Sequence, residues 1–193
     1  AVNVLIHSPV NIWGGDPIFI LISDNLRALG QVSNTVTETE YLRVTDFGFS
    51  IPSTAFVLGI KVTLEGTDDT ITGNSKGILQ ISLVNPSSGL VGEVKTIQAD
   101  SFGSPTDTTI SLGSSTDTWS SKLTAADVSS TGFGVNLFLV HSAGTGVYQC
   151  ALDYIKVTVY YGIPVWEPVE YSYYRAGAPE KKLIIFRANG RVY

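Results

Sequence analysis

The sequence predicts an all-β fold: a jelly-roll-like antiparallel β-sandwich followed by a C-terminal extended arm. Three observations carry this. Val, Ile, Thr, Ser and Gly dominate, which favours strands over helices. Only 15% of residues are charged, against roughly 25% in ordinary globular domains. Short segments that alternate apolar and polar residues recur, separated by polar turns, as expected for a sandwich or jelly roll.

The organising stretch is Tyr41 to Leu64. Leu42, Val44, Phe47 and Phe49 flank Asp46, and Ile60, Val62 and Leu64 alternate with Lys61 and Thr63. This is the period of strands buried on one face. Pro52 lacks an amide hydrogen and belongs to the connection, so two strands joined by a turn are expected.

The elements follow in order. Val2, Val4 and Ile6 suggest an extended start that ends by Pro9. Trp13-Gly14-Gly15-Asp16-Pro17 reads as a loop. Ile18 to Ile22 is a short apolar run, and Val32 to Glu40 resembles an exposed, Thr-rich strand. Gly66 to Ser75 is a polar connection. Gly77 to Val84 and Val91 to Ile97 are strands around the Asn85–Gly89 turn. Ser101 to Leu112 is a long loop leading to a short strand. Thr124 and Asp127 form a capping pair for one helical turn. Val135 to Val140 and Val147 to Tyr161 are strands joined through Gly144 and Gly146. In the last of these the apolar parity switches near Asp153 and Tyr154, which marks either a bulge or burial on both faces.

The composition changes after Gly162, so residues 1–162 form the sandwich domain and 163–193 the arm. Phe186-Arg187-Ala188 and Arg191-Val192-Tyr193 flank Asn189-Gly190, the preferred two-residue hairpin turn. Arms of three residues do not hold a hairpin alone in water. The short hairpin is therefore expected to pack on its own domain or on a neighbouring subunit. Trp166, Tyr171, Tyr173, Tyr174, Phe186 and Tyr193 are its interface candidates, because aromatic residues anchor interfaces.

Several function classes are disfavoured. A net charge of −5 argues against a direct, sequence-blind nucleic-acid binder. No run of 18 apolar residues suggests a membrane span. The opening lacks the form of a signal peptide, and loss of an initiator methionine would account for Ala1. Cys150, the single cysteine, reads as a buried thiol.

No catalytic, cofactor or metal set stands out. His7 and His141 lack metal-ligand spacing. Asp68-Asp69 near Asn74 departs from a calcium loop and reads as a solvated turn. Gly132-Phe133-Gly134 serves backbone geometry. Asp153 within an apolar strand needs a structural partner. Trp13 and Trp119 suit either packing under loops or a glycan-binding surface. The expectation is a non-enzymatic protein without cofactors.

An ordered set of segments adds a resemblance: Trp13 with Ser23-Asp24, LRVTDFGFSIPSTAFVLGIKVTLEG, Trp119 followed by LTAADV, GFGVNL, and ALDYIKVTVYY. Over about residues 13–161 it resembles a domain of tailed-bacteriophage virion proteins and some bacterial surface proteins. The resemblance implies a jelly-roll-like sandwich with a structural role, most simply capsid decoration (cement) that stabilises the phage head. Head or tail fibre, adhesin and carbohydrate-binding module remain alternatives. The implied partners are the major capsid protein or other virion proteins and further copies of the chain, a trimer among the options. The implied location is the virion, after synthesis in the host cytoplasm.

Overall fold

The computed structural model describes residues 3–6, 13–14, 20–98, 101–173 and 181–192, with side chains described for 13–14, 20–68, 71–98 and 101–164. Ten strands and one helical turn follow in order: β1 (Asn3–Ile6), β2 (Ala28–Ser33), β3 (Leu42–Thr45), β4 (Phe56–Gly73), β5 (Lys76–Asn85), β6 (Gly89–Gln98), β7 (Thr108–Gly113), α1 (Ala125–Val128), β8 (Gly134–Ala143), β9 (Gly146–Tyr173) and β10 (Lys181–Val192). One sheet has the order β1-β3-β8-β5-β6. The other runs β10-β9-β4-β7, and β2 also pairs with β9. Every described pairing is antiparallel.

The two sheets enclose one core. Leu42, Val44, Ile81, Leu83, Leu137 and Leu139 enter from the first, and Ile60, Val62, Leu64, Tyr148, Cys150 and Leu152 from the second. Alternation within each strand accounts for this, because successive side chains point to opposite faces. The fold is thus the jelly-roll-like antiparallel sandwich that the patterning predicts.

Several elements depart from expectation. β3 and β4 do not form a local pair, since they lie in opposite sheets and residues 46–55 cross between them. Pro52 sits in that crossing, where its carbonyl accepts from the Ala55 amide at 2.9 Å. Gly66 to Gly73 is not a polar connection but the second half of β4, paired with β9 down to Gly73↔Gly146. Gly66 permits close approach there, because a Cβ would stand 2.3 Å from the Ala151 carbonyl oxygen. The strand after Leu26 is β2, which ends at Ser33 with Val32 buried. Residues 34–40 instead attach to β8 through the Thr39 amide and the Leu139 carbonyl at 2.9 Å.

The arm is also built differently. β10 is one continuous strand, and the expected turn residues are mid-strand, Asn189 opposite Val165 and Gly190 opposite Pro164. The short hairpin is replaced by a twelve-residue pairing of β10 with β9. A turn preference worth little locally gives way to a full ladder of backbone hydrogen bonds. β9 itself passes Gly162 without a break. Of the interface candidates, Trp166, Tyr171 and Tyr173 lie on β9 and Phe186 on β10. Tyr174 and Tyr193 lie outside the described residues.

Candidate functional site

β9 carries a bulge at Asp153. Glu65 pairs with Tyr154 and Gly66 with Leu152, which leaves Asp153 as the extra residue. Tyr148, Cys150 and Leu152 face the core before it, and Ile155 and Val157 after it. One inserted residue reverses the parity of a strand. The bulge therefore explains the switch visible in the sequence.

Asp153 is buried, with 1% exposure. Its Oδ1 accepts from the Asp24 amide at 3.3 Å. Asp24 in turn accepts from the Leu26 amide at 3.0 Å. Two segments distant in the chain, Ser23-Asp24 and ALDY, thus meet at one carboxylate. Oxygens of Glu65, Asp107 and Asp153 lie within 4.8 Å of one another. Arg27 offsets this acidity with a bidentate pair to Asp107, at 3.1 Å from Nε and 2.7 Å from Nη2. Burial holds the Asp153 carboxyl above its ordinary range, opposed by the Asp24 amide and reinforced by Asp107, Glu65 and Asp24. The cluster can hold a proton at Asp153. It also fixes the 20s loop and the 101–107 loop against the strand.

The two tryptophans whose side chains are described are core elements. Trp13 and Trp119 are each 0% exposed. The Trp13 indole donates to the Glu40 carbonyl at 2.9 Å, and that of Trp119 to the Ile60 carbonyl at 2.8 Å. Neither offers a ring to a sugar. Lys95 stands over Trp119, 5.1 Å from the ring centroid, and is ion-paired to Asp117 at 2.9 Å and to Glu93.

Asp68 is 4% exposed within β4, so the solvated-turn reading does not hold. Its Oδ2 accepts from the Phe102 amide at 3.2 Å and ties down the 101–103 loop. Asn74 works elsewhere, accepting from the Thr145 amide at 2.9 Å. Burial, and then the charge of Asp68, raise the Cys150 thiol well above its usual value. His141 joins no cluster of metal-binding side chains among the described residues. His7 and the Asp69 side chain lie outside them.

A second site was not singled out by motif. Glu38, Thr39, Glu40, Tyr41 and Phe138 line a shallow pocket of about 180 Å³. Tyr41, 40% exposed, meets Phe138 edge-on, with ring centroids 5.3 Å apart at 80°. The walls are pinned from behind. The Thr39 hydroxyl accepts from the Leu139 amide at 2.9 Å, and the His141 amide donates to the Thr37 carbonyl at 2.8 Å. Tyr41 and Phe138 occupy the strand parity opposite Leu42 and Leu137, which are in the core. The available sequence signal was an aromatic residue at an outward position between Leu137 and Leu139.

No family model and no curated protein matches the sequence. Among solved structures the chain is similar to that of TmCBM61 in complex with β-1,4-galactotriose. The identity is 9%, over 82% of this chain and 81% of that one, with a TM-score of 0.35.

Proposed function

We propose that this chain is a non-enzymatic structural protein of a tailed-phage virion. In this reading it decorates and stabilises the head as a homo-oligomer bound to the major capsid protein. One observation carries the proposal. β4 stops pairing with β9 at Phe56↔Gly162, and beyond that residue only β10 pairs with β9 among the described strands. Eleven residues of two-stranded ribbon span roughly 36 Å. A ribbon of two strands is at best marginally stable in water without a further surface. A neighbouring chain supplies that surface, and the low charge of the whole suits permanent contacts. The resemblance of residues 13–161 supports a virion setting.

The test is co-sedimentation with phage heads, for the full chain and for a chain lacking residues 163–193. The reading expects the full chain to bind heads and raise their thermal stability. It expects the shortened chain to fold, with buried Trp13 and Trp119 reporting, and to bind no heads. Heads that bind both chains equally, or neither, overturn it. A carbohydrate-binding or fibre-type adhesin reading is favoured by one feature, the exposed Tyr41 ring in a pocket that Glu38, Glu40 and Phe138 also line. A glycan panel read by changes in Tyr41 environment tests it.

A further inference from the structure

We propose that Arg43, held in place by Asn136, anchors a pocket for a carboxylate group on the outer face of the first sheet. The inference goes beyond the assembly reading above and does not rest on it.

Register places the residues. Ser82 of β5 lies opposite Asn136 of β8, and Asn136 lies opposite Arg43 of β3. Their chain neighbours Ile81, Leu83, Val135, Leu137, Leu42 and Val44 are all in the core. The row Ser82-Asn136-Arg43 therefore projects from the other face of the sheet. The next row on that face is Val84-Gly134-Thr45. Arg43, Thr45 and Val84 line a pocket of about 250 Å³ there, together with Asn85 and Pro86 of the following turn.

The row is built at a cost to stability. Asn136 is 1% exposed and Ser82 is 3% exposed. Asn136 Nδ2 and Ser82 Oγ are buried without a hydrogen-bond partner among the described residues. Packing alone would favour apolar side chains at both positions, because a buried polar group left unmatched is unfavourable. What Asn136 does provide is one strong contact. Its Oδ1 accepts from Arg43 Nε at 2.7 Å. That bond fixes the guanidinium at the pocket wall. Arg43 forms no ion pair among the described residues, in contrast to Arg27 and Lys95.

The chemistry of the lining names the ligand class. With Nε engaged by Asn136, the Nη groups of Arg43 supply the donors, and a guanidinium edge binds an oxyanion with charge-assisted hydrogen bonds. Arg43 is the one charged residue among the described lining residues. A single positive charge matches a carboxylate better than a phosphate monoester, which carries nearly two charges. The Thr45 hydroxyl adds a further polar group to the same wall. The volume falls below the roughly 300–1,000 Å³ of pockets that take drug-sized ligands. It suits one acidic unit, either a sugar acid or the side chain of an acidic amino acid.

The experiment is ligand-observed saturation-transfer NMR on the full chain, which reads weak binding whatever the oligomeric state. The probes are sodium glucuronate and sodium N-acetylglutamate. Methyl glucoside is the neutral control, and ionic strength is matched with sodium chloride. At least one carboxylate is expected to bind in the millimolar range or tighter, and methyl glucoside is expected not to. Arg43→Gln is expected to weaken binding about tenfold. Asn136 is a positioning residue, so Asn136→Leu is expected to weaken binding about threefold with an unchanged or higher urea midpoint. Asn136→Asp sets a carboxylate beside Arg43 and is expected to abolish binding in a folded protein.

A response to glucuronate alone names a sugar acid as the ligand, and a response to N-acetylglutamate alone names a peptide side chain. No response to either carboxylate overturns the proposal. So does an equal response to methyl glucoside, or unchanged affinity in Arg43→Gln. Unchanged affinity in Asn136→Leu with a lowered urea midpoint makes Asn136 a purely structural residue and overturns its positioning role. Asn136→Asp that binds like the wild type overturns it as well.

Discussion

The Trp119 indole donates to the Ile60 carbonyl oxygen at 2.8 Å, in the buried core. Trp119 itself has φ of 56°, in the left-handed region that bulky residues rarely adopt. The Asp117 carboxylate accepts from its backbone amide at 2.8 Å and helps hold it there. Trp119→Phe keeps most of the packing but leaves a buried carbonyl unpaired. It should cost about 1–3 kcal/mol, read as a lower urea midpoint with an unchanged slope. No change in midpoint would show that the bond contributes nothing.

Asp153 should make stability depend on pH. Its folded-state pKa is raised, chiefly by burial. The folded state therefore holds a proton that the unfolded state releases at the ordinary carboxylate value of about 3.9. Stability attributable to this group is full below that value and falls as pH rises through the raised one. Asp153→Asn should flatten this segment of the profile. Urea midpoints measured from pH 4 to 7 for both proteins check it, and parallel profiles contradict it.

Asp117 acts in the opposite sense. The Lys95 hydrogen bond lowers its pKa, aided by the Trp119 amide. Its contribution is present above the ordinary carboxylate value and is lost as pH falls through the lowered one. Titration of the Asp117 carboxyl by NMR should show a rise toward normal in Lys95→Met.

Cys150 should be inert in the native protein. It is fully buried and its thiolate is disfavoured by burial and by Asp68. Reaction with an aromatic disulfide reagent should follow the unfolding rate and become fast in denaturant. Rapid labelling under native conditions would contradict the packing of β9.

Gly134 should not tolerate a side chain. A Cβ there would stand 2.0 Å from the Val44 carbonyl oxygen across the β3–β8 pair. Gly134→Ala should lower the thermal midpoint by several degrees, as expected for about 1–3 kcal/mol of overpacking.

Signals in the sequence are legible where they act locally. Thr124 and Asp127 form both halves of a capping box around α1, as their spacing implied. The parity switch at Asp153 became a bulge, because side-chain alternation is what a strand's register leaves in sequence. Asn85 Oδ1 accepts from the Ser87 and Ser88 amides in the turn that its Pro-Ser-Ser-Gly context indicated. Such signals mislead where distant pairing outweighs local preference. Asn189-Gly190 has the chemistry of a turn, yet β9 holds it extended. Gly66 to Gly73 is polar, yet it pairs with β9, and the Asp68 carboxylate is answered by a loop amide far along the chain. The pocket was hidden for the same reason. Tyr41 and Phe138 meet only because Leu42 registers with Leu137.

β9 is one unbroken strand of 28 residues, Gly146–Tyr173, shared by the body and the ribbon. Tension applied to the ribbon therefore travels along the peptide backbone into the middle of a sheet, with no flexible joint to absorb it. Flanked by β4 and, near its start, by β2, that strand is loaded parallel to its neighbours, so many hydrogen bonds must yield together rather than one after another. A ribbon of this construction passes mechanical load into the body of the protein instead of yielding at a hinge.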